Sequence, residues 1–365
     1  MIPLRLAVIG AGHLGRIHAR LVAQMPDVVL VGVCDPMATT REQVAADCGS
    51  TPYADHRELM GQVDAAVIAT PTQFHRDVAL DFLNQGTPLL VEKPIAASVA
   101  EADELVDAAR RHGAILQVGH IERFNPAFTA ATAHIRRPQY IEAVRASGFT
   151  GRSTDIGVVH DLMIHDIDLV LSLMDAPLSR VDAIGVPILG AKEDAAQARL
   201  EFADGCVANL SASRVSYSEA PNRRMMLWSA EGFAEIDFGK RSVKIVTPSE
   251  PVRSGTFDYN ALPADEKAGF KDRVFADVLR LEPVEVESRN ALADELRDFV
   301  DAVRNATQPR VTGQQGREAL AVAEAILHSA ETHRWQPRPK TAPPILRGPH
   351  WNLPYPARAQ HREAG

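Results

Sequence analysis

The sequence predicts an α/β chain: a doubly wound parallel sheet at the N-terminus, then an α+β domain built on an open, mostly antiparallel sheet. Three observations predict it. Over roughly the first 120 residues, short apolar runs alternate with amphipathic helical stretches, the pattern of βαβ units. The first of those runs leads directly into three glycines spaced G-x-G-x-x-G. Beyond Pro138 the periodicity changes to short strand-like runs broken by turn residues.

The run Leu6 to Ile9 reads as a buried parallel strand. Gly10 then allows a tight turn, Gly12 lets the backbone approach a pyrophosphate, and Gly15 lets the next helix, 16–24, sit close to the strand. The N-terminus of that helix offers free amide groups to an anion, and His13 and Leu14 inside the turn count with the glycines as cofactor-binding candidates. The second strand, VVLVGVCD, ends in Asp35, twenty positions beyond Gly15. A carboxylate there accepts hydrogen bonds from both ribose hydroxyls of an adenosine and repels a 2′-phosphate, which favours NAD over NADP. Arg41 lies near enough in sequence to keep some NADP use open.

The alternation continues through helices TREQVAADCG and HRELMGQ, strand VDAAVIAT, helix FHRDVALDFLNQG, strand PLLVEKP, helix SVAEADELVDAARRHG and strand AILQVGH. In such folds the ligand lies beyond the carboxyl ends of the strands. Two strands end there in polar signatures: ATPTQFH, with Thr70, Pro71 and His75, and VEKP, with Glu92 and Lys93. All five are cofactor-site candidates.

Composition narrows the partners. A chain of 365 residues, 45% hydrophobic and 24% charged, buries cores for about two domains. A net charge of −8 and no basic stripe argue against nucleic acid. Three scattered cysteines suit a reducing compartment, and neither a signal peptide nor a membrane span is legible, so a cytoplasmic protein, mature from Met1, is expected.

The remaining chain reads as strands QYIEAVRAS, SRVDAIGVPIL, AAQARLEFADGCVANLSASRV, RRMMLWSAEGFAEIDFG and RSVKIVTP, hairpins of one sheet, closed by helices NALADELRDFVDAVRNA and GREALAVAEAILHSAETH. The expected divisions are 1–122, a dinucleotide-binding domain; 123–335, a domain for substrate and oligomer contacts; and 336–365, an extended tail. Seven prolines in the last thirty residues mark that tail as disordered or laid across a neighbouring subunit, with Trp351 and Tyr355 as contacts.

Taken together, VIGAGHLGRIHA, ATPTQFH, VEKPIA and HDLMIHDIDLVL, in that order over about 175 residues, resemble the Gfo/Idh/MocA family of nicotinamide-dependent sugar and cyclitol oxidoreductases. The resemblance implies a Rossmann domain, a C-terminal domain with an open sheet used for contacts in a homodimer or homotetramer, and last helices that pack back on the first domain. It implies that Lys93, in EKP, is the active-site lysine, aimed by Pro94, which often follows a cis peptide bond in this family. It also implies a working pair, an aspartate and a histidine four positions apart on the helix entering the second domain, matched here by Asp161 and His165.

Oxidising a secondary alcohol needs a group that removes the hydroxyl proton and a cation for the forming alkoxide. His165 is the expected base, Lys93 the cation, and Asp161 a substrate-binding or orienting group. These fall within VVHDLMIHDIDLVLSLM, which sets five ionisable residues in nine positions; if it is helical, Asp161 and His165 share a face. Asp166 and Asp168 are expected to bond backbone or a cap, and His160 either touches substrate or makes a structural bond. In VGHIERFNPAF, His120, Glu122, Arg123 and Asn125 are substrate-pocket candidates, Arg123 for a phosphate or carboxylate, although Asn125-Pro126 also reads as a helix start.

The combination GHIERFNP with HDLMIHDIDL is most similar to the branch that oxidises the 3-hydroxyl of UDP-N-acetylglucosamine, with Arg214, Arg223 and Arg224 as possible phosphate partners. Free sugars and inositols are the alternative substrates, and a catalytically silent NAD-binding sensor or scaffold is the alternative class. A metal-dependent reading through His160, Asp161, His165 and Asp168 is disfavoured, because histidines five apart do not share a helix face as the zinc helix motif requires. No metal is expected.

Overall fold

The structure, a computed structural model, describes residues 2–149, 151, 156–216 and 221–333. The expected tail, with Trp351 and Tyr355, lies outside the described residues. The N-terminal strands are β1 (Leu4–Ile9), β2 (Val28–Cys34), β3 (Thr51–Tyr53), β4 (Ala65–Ile68), β5 (Leu89–Glu92) and β6 (Leu116–Gly119). They form one parallel sheet in the order β3-β2-β1-β4-β5-β6. The chain order reverses between β1 and β4, which opens a crevice at their carboxyl ends. Strands β4, β5 and β6 are buried throughout, as strands covered on both faces must be. The cover comes from α1 (His13–Ala23), α2 (Ala38–Cys48), α3 (His75–Leu83) and α4 (Val99–His112).

Two local readings change. HRELMGQ is a four-residue 3-10 turn, His56–Leu59, capped by Asp55, and not a helix; Gly61, at φ 75°, turns the chain soon afterwards. The three-residue β3, which the sequence did not announce, carries Pro52 and survives because it lies at the sheet edge.

The second sheet comprises β7 (Tyr140–Ala146), β8 (Leu178–Val186), β9 (Ala195–Phe202), β10 (Val207–Ser213), β11 (Asn222–Ser229), β12 (Gly232–Asp237), β13 (Ser242–Pro248) and β14 (Leu279–Glu282). Its order is β14-β13-β12-β11-β7-β10-β9-β8. Only the β7–β10 pair is parallel; the others are antiparallel. β7 and β10 alternate between buried and half-buried residues, so one face is covered and the other open. The cover is α5 (Pro126–Thr132) and α6 (Ile164–Leu173), whose Phe128, Ile164 and Ile167 share a core with Ile141, Leu210 and Leu227. Between β13 and β14 the chain makes three short helices not foreseen from sequence: α7 (Glu250–Arg253), α8 (Ala264–Ala268) and α9 (Phe270–Arg273).

The last two helices, α10 (Ala291–Asn305) and α11 (Gly313–Thr332), join the sheets. Leu296, Phe299 and Val300 of α10 sit in one core with Leu6, Val8 and Val33 of the first sheet. α11 contributes Leu320 to the first domain's core and Val322 and Ile326 to the second. It approaches β6 through glycines: a Cβ on Gly316 would lie 2.4 Å from Val118 Cγ2. A Gly316→Leu variant is therefore expected to lose about 1–3 kcal/mol of stability by overpacking, read as a lowered urea midpoint; an unchanged midpoint would mean the helix is free to shift.

Candidate active site

The glycine turn is built around its spacing. Gly10 has φ 96°, and a Cβ there would meet the Ala69 carbonyl at 2.6 Å; one on Gly15 would lie 1.8 Å from the Gly10 oxygen. At Gly12 a Cβ would meet nothing within 4 Å, so the space a phosphate needs is open beside the start of α1. Gly12, His13 and Leu14 are exposed on this rim. Asp35 holds the turn from β2, accepting the Ala11 amide at 2.9 Å and the Met37 amide at 2.8 Å. The residues present thus fit a dinucleotide, with Gly10, Gly12 and Gly15 shaping the phosphate turn and Asp35 at its ribose end. Arg41 bonds the carbonyls of Asp35 and Pro36.

At the end of β5 the Lys93–Pro94 peptide is cis. The Lys93 ammonium donates to the Asp161 carbonyl at 2.8 Å and stands 3.6 Å from its carboxylate. Burial lowers the Lys93 ammonium below its ordinary range, and Arg145 adds to that; Asp161 and Glu92 oppose it. Asp161 does not lie on a regular α-helix. Val159–Met163 is a π-turn leading into α6, the kind of widened turn found at functional sites, and the Asp161 carbonyl takes up the lysine there. His165 follows at the start of α6, half-buried, with Nδ1 buried and without a partner. Burial first, then the charges of Lys93, Arg145, His120 and Arg223, hold His165 well below the usual imidazole value. A neutral imidazole beside an ammonium can accept a proton while the cation steadies an anion.

The other ionisable residues of this stretch correct the sequence reading. Among the described residues Asp166 and Asp168 bond neither backbone nor caps; they are buried ion-pair partners. Asp166 pairs with Arg145 at 2.8 Å, and Arg145 also binds Glu122 at 2.8 Å. Burial disfavours the Arg145 charge, but Asp166 and Glu122 outweigh it and raise the guanidinium further above its ordinary value. Asp168 takes Arg123 at 2.8 Å, so Arg123 is engaged inside the protein instead of facing a ligand's phosphate. Asn125 is the N-cap of α5, its Oδ1 accepting from Ala127, while its Nδ2 donates to Glu122. Its place is structural.

Two cofactor candidates also turn inward. His75 is 1% exposed and braces the two strand-end loops, its ring nitrogens 2.9 Å from the Pro94 carbonyl and 2.8 Å from that of Thr70. Glu92 is buried against His18, Oε1 to Nε2 2.7 Å. Neither presents its side chain to a cofactor. His18, Glu92 and Glu295 of α10 bring donor atoms within 4.8 Å of one another, a cluster that sequence reasoning missed. Burial, and then the charge of Glu92, raise Glu295 well above the usual carboxyl range. Its only sequence signal was position: Leu292, Glu295, Leu296 and Phe299 fall on the buried stripe of α10.

His120 is 1% exposed with both ring nitrogens unpartnered; burial lowers its proton affinity, and Asp168, Arg123, Lys93 and Glu92 all act on it. His160 and Pro71 line one cleft of about 220 Å³ between the strand-end loop and the π-turn, with Gln73, Pro94 and Ile156. Among the described residues, His160, Asp161, His165 and Asp168 do not gather as a ligand set. Of the three arginines named for phosphate, Arg214 bonds Asp194 at 2.6 Å and Arg224 lies 3.5 Å from Asp237.

A Rossmann crevice with a lysine, an aspartate and a neutral histidine beyond its strands defines a nicotinamide-dependent oxidoreductase of CH–OH groups, and the chain belongs to the Gfo/Idh/MocA family. Residues 4–120 match the family's NAD-binding Rossmann domain and residues 127–235 its C-terminal domain. In particular, the chain is similar to UDP-N-acetylglucosamine 3-dehydrogenase of Acidithiobacillus ferrooxidans, at 37% identity over 91% of this chain and 98% of that one. The solved structure of that enzyme superposes with a TM-score of 0.79 at 35% identity, covering 91% and 99% of the two chains. The scyllo-inositol 2-dehydrogenase of Bacillus subtilis is 32% identical over 58% of this chain and 68% of its own. Among the described residues no helix is long and apolar enough to cross a membrane.

Replacing Arg145 by alanine leaves Asp166 and Glu122 buried without their cation. The expected loss is about 3–5 kcal/mol, measured by denaturant unfolding; a loss under about 1 kcal/mol would show that the carboxyls had simply taken up protons.

Proposed function

We propose that this chain oxidises a secondary ring hydroxyl of a nucleotide sugar, the 3-hydroxyl of UDP-N-acetylglucosamine, to the ketone with NAD. The observation that carries the reading is the Lys93 ammonium seated 2.8 Å from the Asp161 carbonyl beside His165, beyond the strand ends of a dinucleotide fold. When bound, the nicotinamide supplies the hydride acceptor. His165 removes the hydroxyl proton, and Lys93 stabilises the alkoxide as the hydride departs. Asp161 orients the lysine and offers its carboxylate to a neighbouring hydroxyl. His120 and His160 border the substrate space, and Asp35 supports NAD over NADP. The substrate rests on likeness to the Acidithiobacillus enzyme along 91% of the chain.

Oxidation of an inositol is the second reading, supported by the Bacillus relative. A silent NAD-binding scaffold has no chemical need for Lys93 and His165 together. The open face of the second sheet supports a homodimer or homotetramer.

The deciding experiment offers NAD with a panel of UDP-sugars, free sugars and inositols and follows NADH, single turnover included. NADH from UDP-N-acetylglucosamine is the expected result; NADH from a free sugar or inositol alone would remove the nucleotide-sugar reading. Lys93→Ala and His165→Ala should each cut turnover by about 10²–10⁴-fold and leave NAD binding intact, and normal turnover in either sinks the roles given to them. NAD should surpass NADP by about tenfold or more in kcat/KM.

The pH profile follows from the two shifts. His165 works neutral, so activity falls as pH drops through its lowered value, placing the acid limb below 6.5. Lys93 works charged, so activity falls as pH rises through its own lowered value, placing the alkaline limb below 10.5. An acid limb above 6.5 would argue for a different base.

A further inference from the structure

We infer that Arg223, at the start of β11, is the anchor for the diphosphate of the nucleotide-sugar substrate. The inference rests on the substrate reading above and adds to it a residue and a subsite.

Three arginines were open for such a role, and the structure separates them. Arg214 is 7% exposed and is held by Asp194 and the Ile156 carbonyl. Arg224 faces Asp237 across the β11–β12 pair. Arg223 is exposed, and among the described residues no carboxylate lies within 4.0 Å of its guanidinium.

Its direction is fixed by the sheet. In the β11–β7 register Arg223 stands opposite Arg145, so the two side chains leave the same face, with Cβ atoms about 5 Å apart. Arg145 reaches from that face to Asp166 on α6, and Met225 and Leu227, the next residues of β11 on that side, join the core under α6. Arg223 therefore points along the covered face, at the end of the strand nearest the first turn of α6, which carries His165. The strand end is pinned there by the Phe238 amide, which donates to the Arg223 carbonyl at 2.9 Å. The Arg145 guanidinium lies over the Phe238 ring, 5.6 Å from its centroid.

Two guanidinium groups directly opposite on adjacent strands repel one another. Arg145 makes the ion pairs with both neighbouring carboxylates, whereas Arg223 acts on Asp166 only at longer range and, among the described residues, pairs with no carboxylate of its own. A dianionic group arriving from solvent removes this imbalance, and the planar fork of an arginine matches two phosphate oxygens at once. The charge of Arg223 also reaches His165, so an anion held at this strand end lies on the same side of the sheet as His165. A sugar joined to a diphosphate can place an anion at Arg223 with its ring towards His165; an inositol offers Arg223 hydroxyls but no anionic group.

The test compares wild type with Arg223→Ala, Arg223→Lys and the control Arg224→Ala. It measures NADH formation from UDP-N-acetylglucosamine, calorimetric binding of UDP to the NAD-loaded protein, and melting temperature. Expected for Arg223→Ala are a rise of about tenfold or more in KM and a like weakening of UDP binding. NAD affinity should not change, and the melting temperature should be equal or higher, because a like-charge pair has been relieved. Arg223→Lys should fall between, and Arg224→Ala should match wild type. If wild type turns over UDP-N-acetylglucosamine and Arg223→Ala does so with unchanged KM and UDP binding, the anchor is overturned and the substrate reading stands. If wild type ignores UDP-N-acetylglucosamine, the substrate reading falls, and the anchor is judged with N-acetylglucosamine 1-phosphate: binding lost in Arg223→Ala retains an anion site, and absence of binding to wild type removes it.

Discussion

The site exists because one ammonium crosses between two domains. Lys93 follows β5 of the first sheet and Asp161 lies at the entrance of the second domain, and the 2.8 Å bond between them ties the end of β5 to the π-turn beyond the crevice. A lysine is a flexible donor with strong hydration. Holding it in one place requires its surroundings to be fixed from both sides. On one side His75 braces the loops after β4 and β5, and His18 fixes Glu92 immediately before the lysine. On the other, the π-turn is clamped through α6 by Asp166 to Arg145 and by Asp168 to Arg123. Lys93, Asp161 and His165, the proposed catalytic groups, are half-buried; the residues that fix their surroundings are buried and charged.

That division explains how the acidic stretch from the π-turn into α6 is used. Asp161, Asp166 and Asp168 lie within eight positions, yet of the three it is Asp161 that meets Lys93. The other two each neutralise an arginine from a different element, β7 and the turn after β6. Buried ion pairs contribute little net stability but are costly to break. Such pairs suit a role in specifying a single arrangement of α6 better than a role in strengthening the fold.

Much of this was legible in the sequence, and the boundary of legibility is physical. The glycine spacing, the strand-end signatures and the four-residue separation of Asp161 and His165 are local patterns, and local patterns survive without knowledge of the fold. The pairing of Arg123 with Asp168 spans 45 positions and that of His18 with Glu92 spans 74; nothing in either neighbourhood names the partner. Arg123 therefore read as a ligand contact when its partner is Asp168, whereas the helix start at Asn125-Pro126, a local signal, was legible and is present. The π-turn was hidden for a different reason: its residues keep helical composition, and the extra residue per turn leaves the apolar pattern nearly intact. β3 and β14, at three and four residues, are too short to show a period.

The core of the dinucleotide domain is closed by a helix encoded far downstream. Phe299 and its neighbours on α10 fill a space between α1 and the first sheet, while the last strand of that sheet ends at Gly119. During synthesis at about 5–20 residues per second, the first domain waits roughly 10–40 s for the segment that completes it. For that interval Leu6, Val8 and Val33 lack their final cover, and the nascent chain exposes an apolar face of the kind that chaperones bind and aggregates grow from. The arrangement leaves the core of the first domain incomplete until the second sheet has been made.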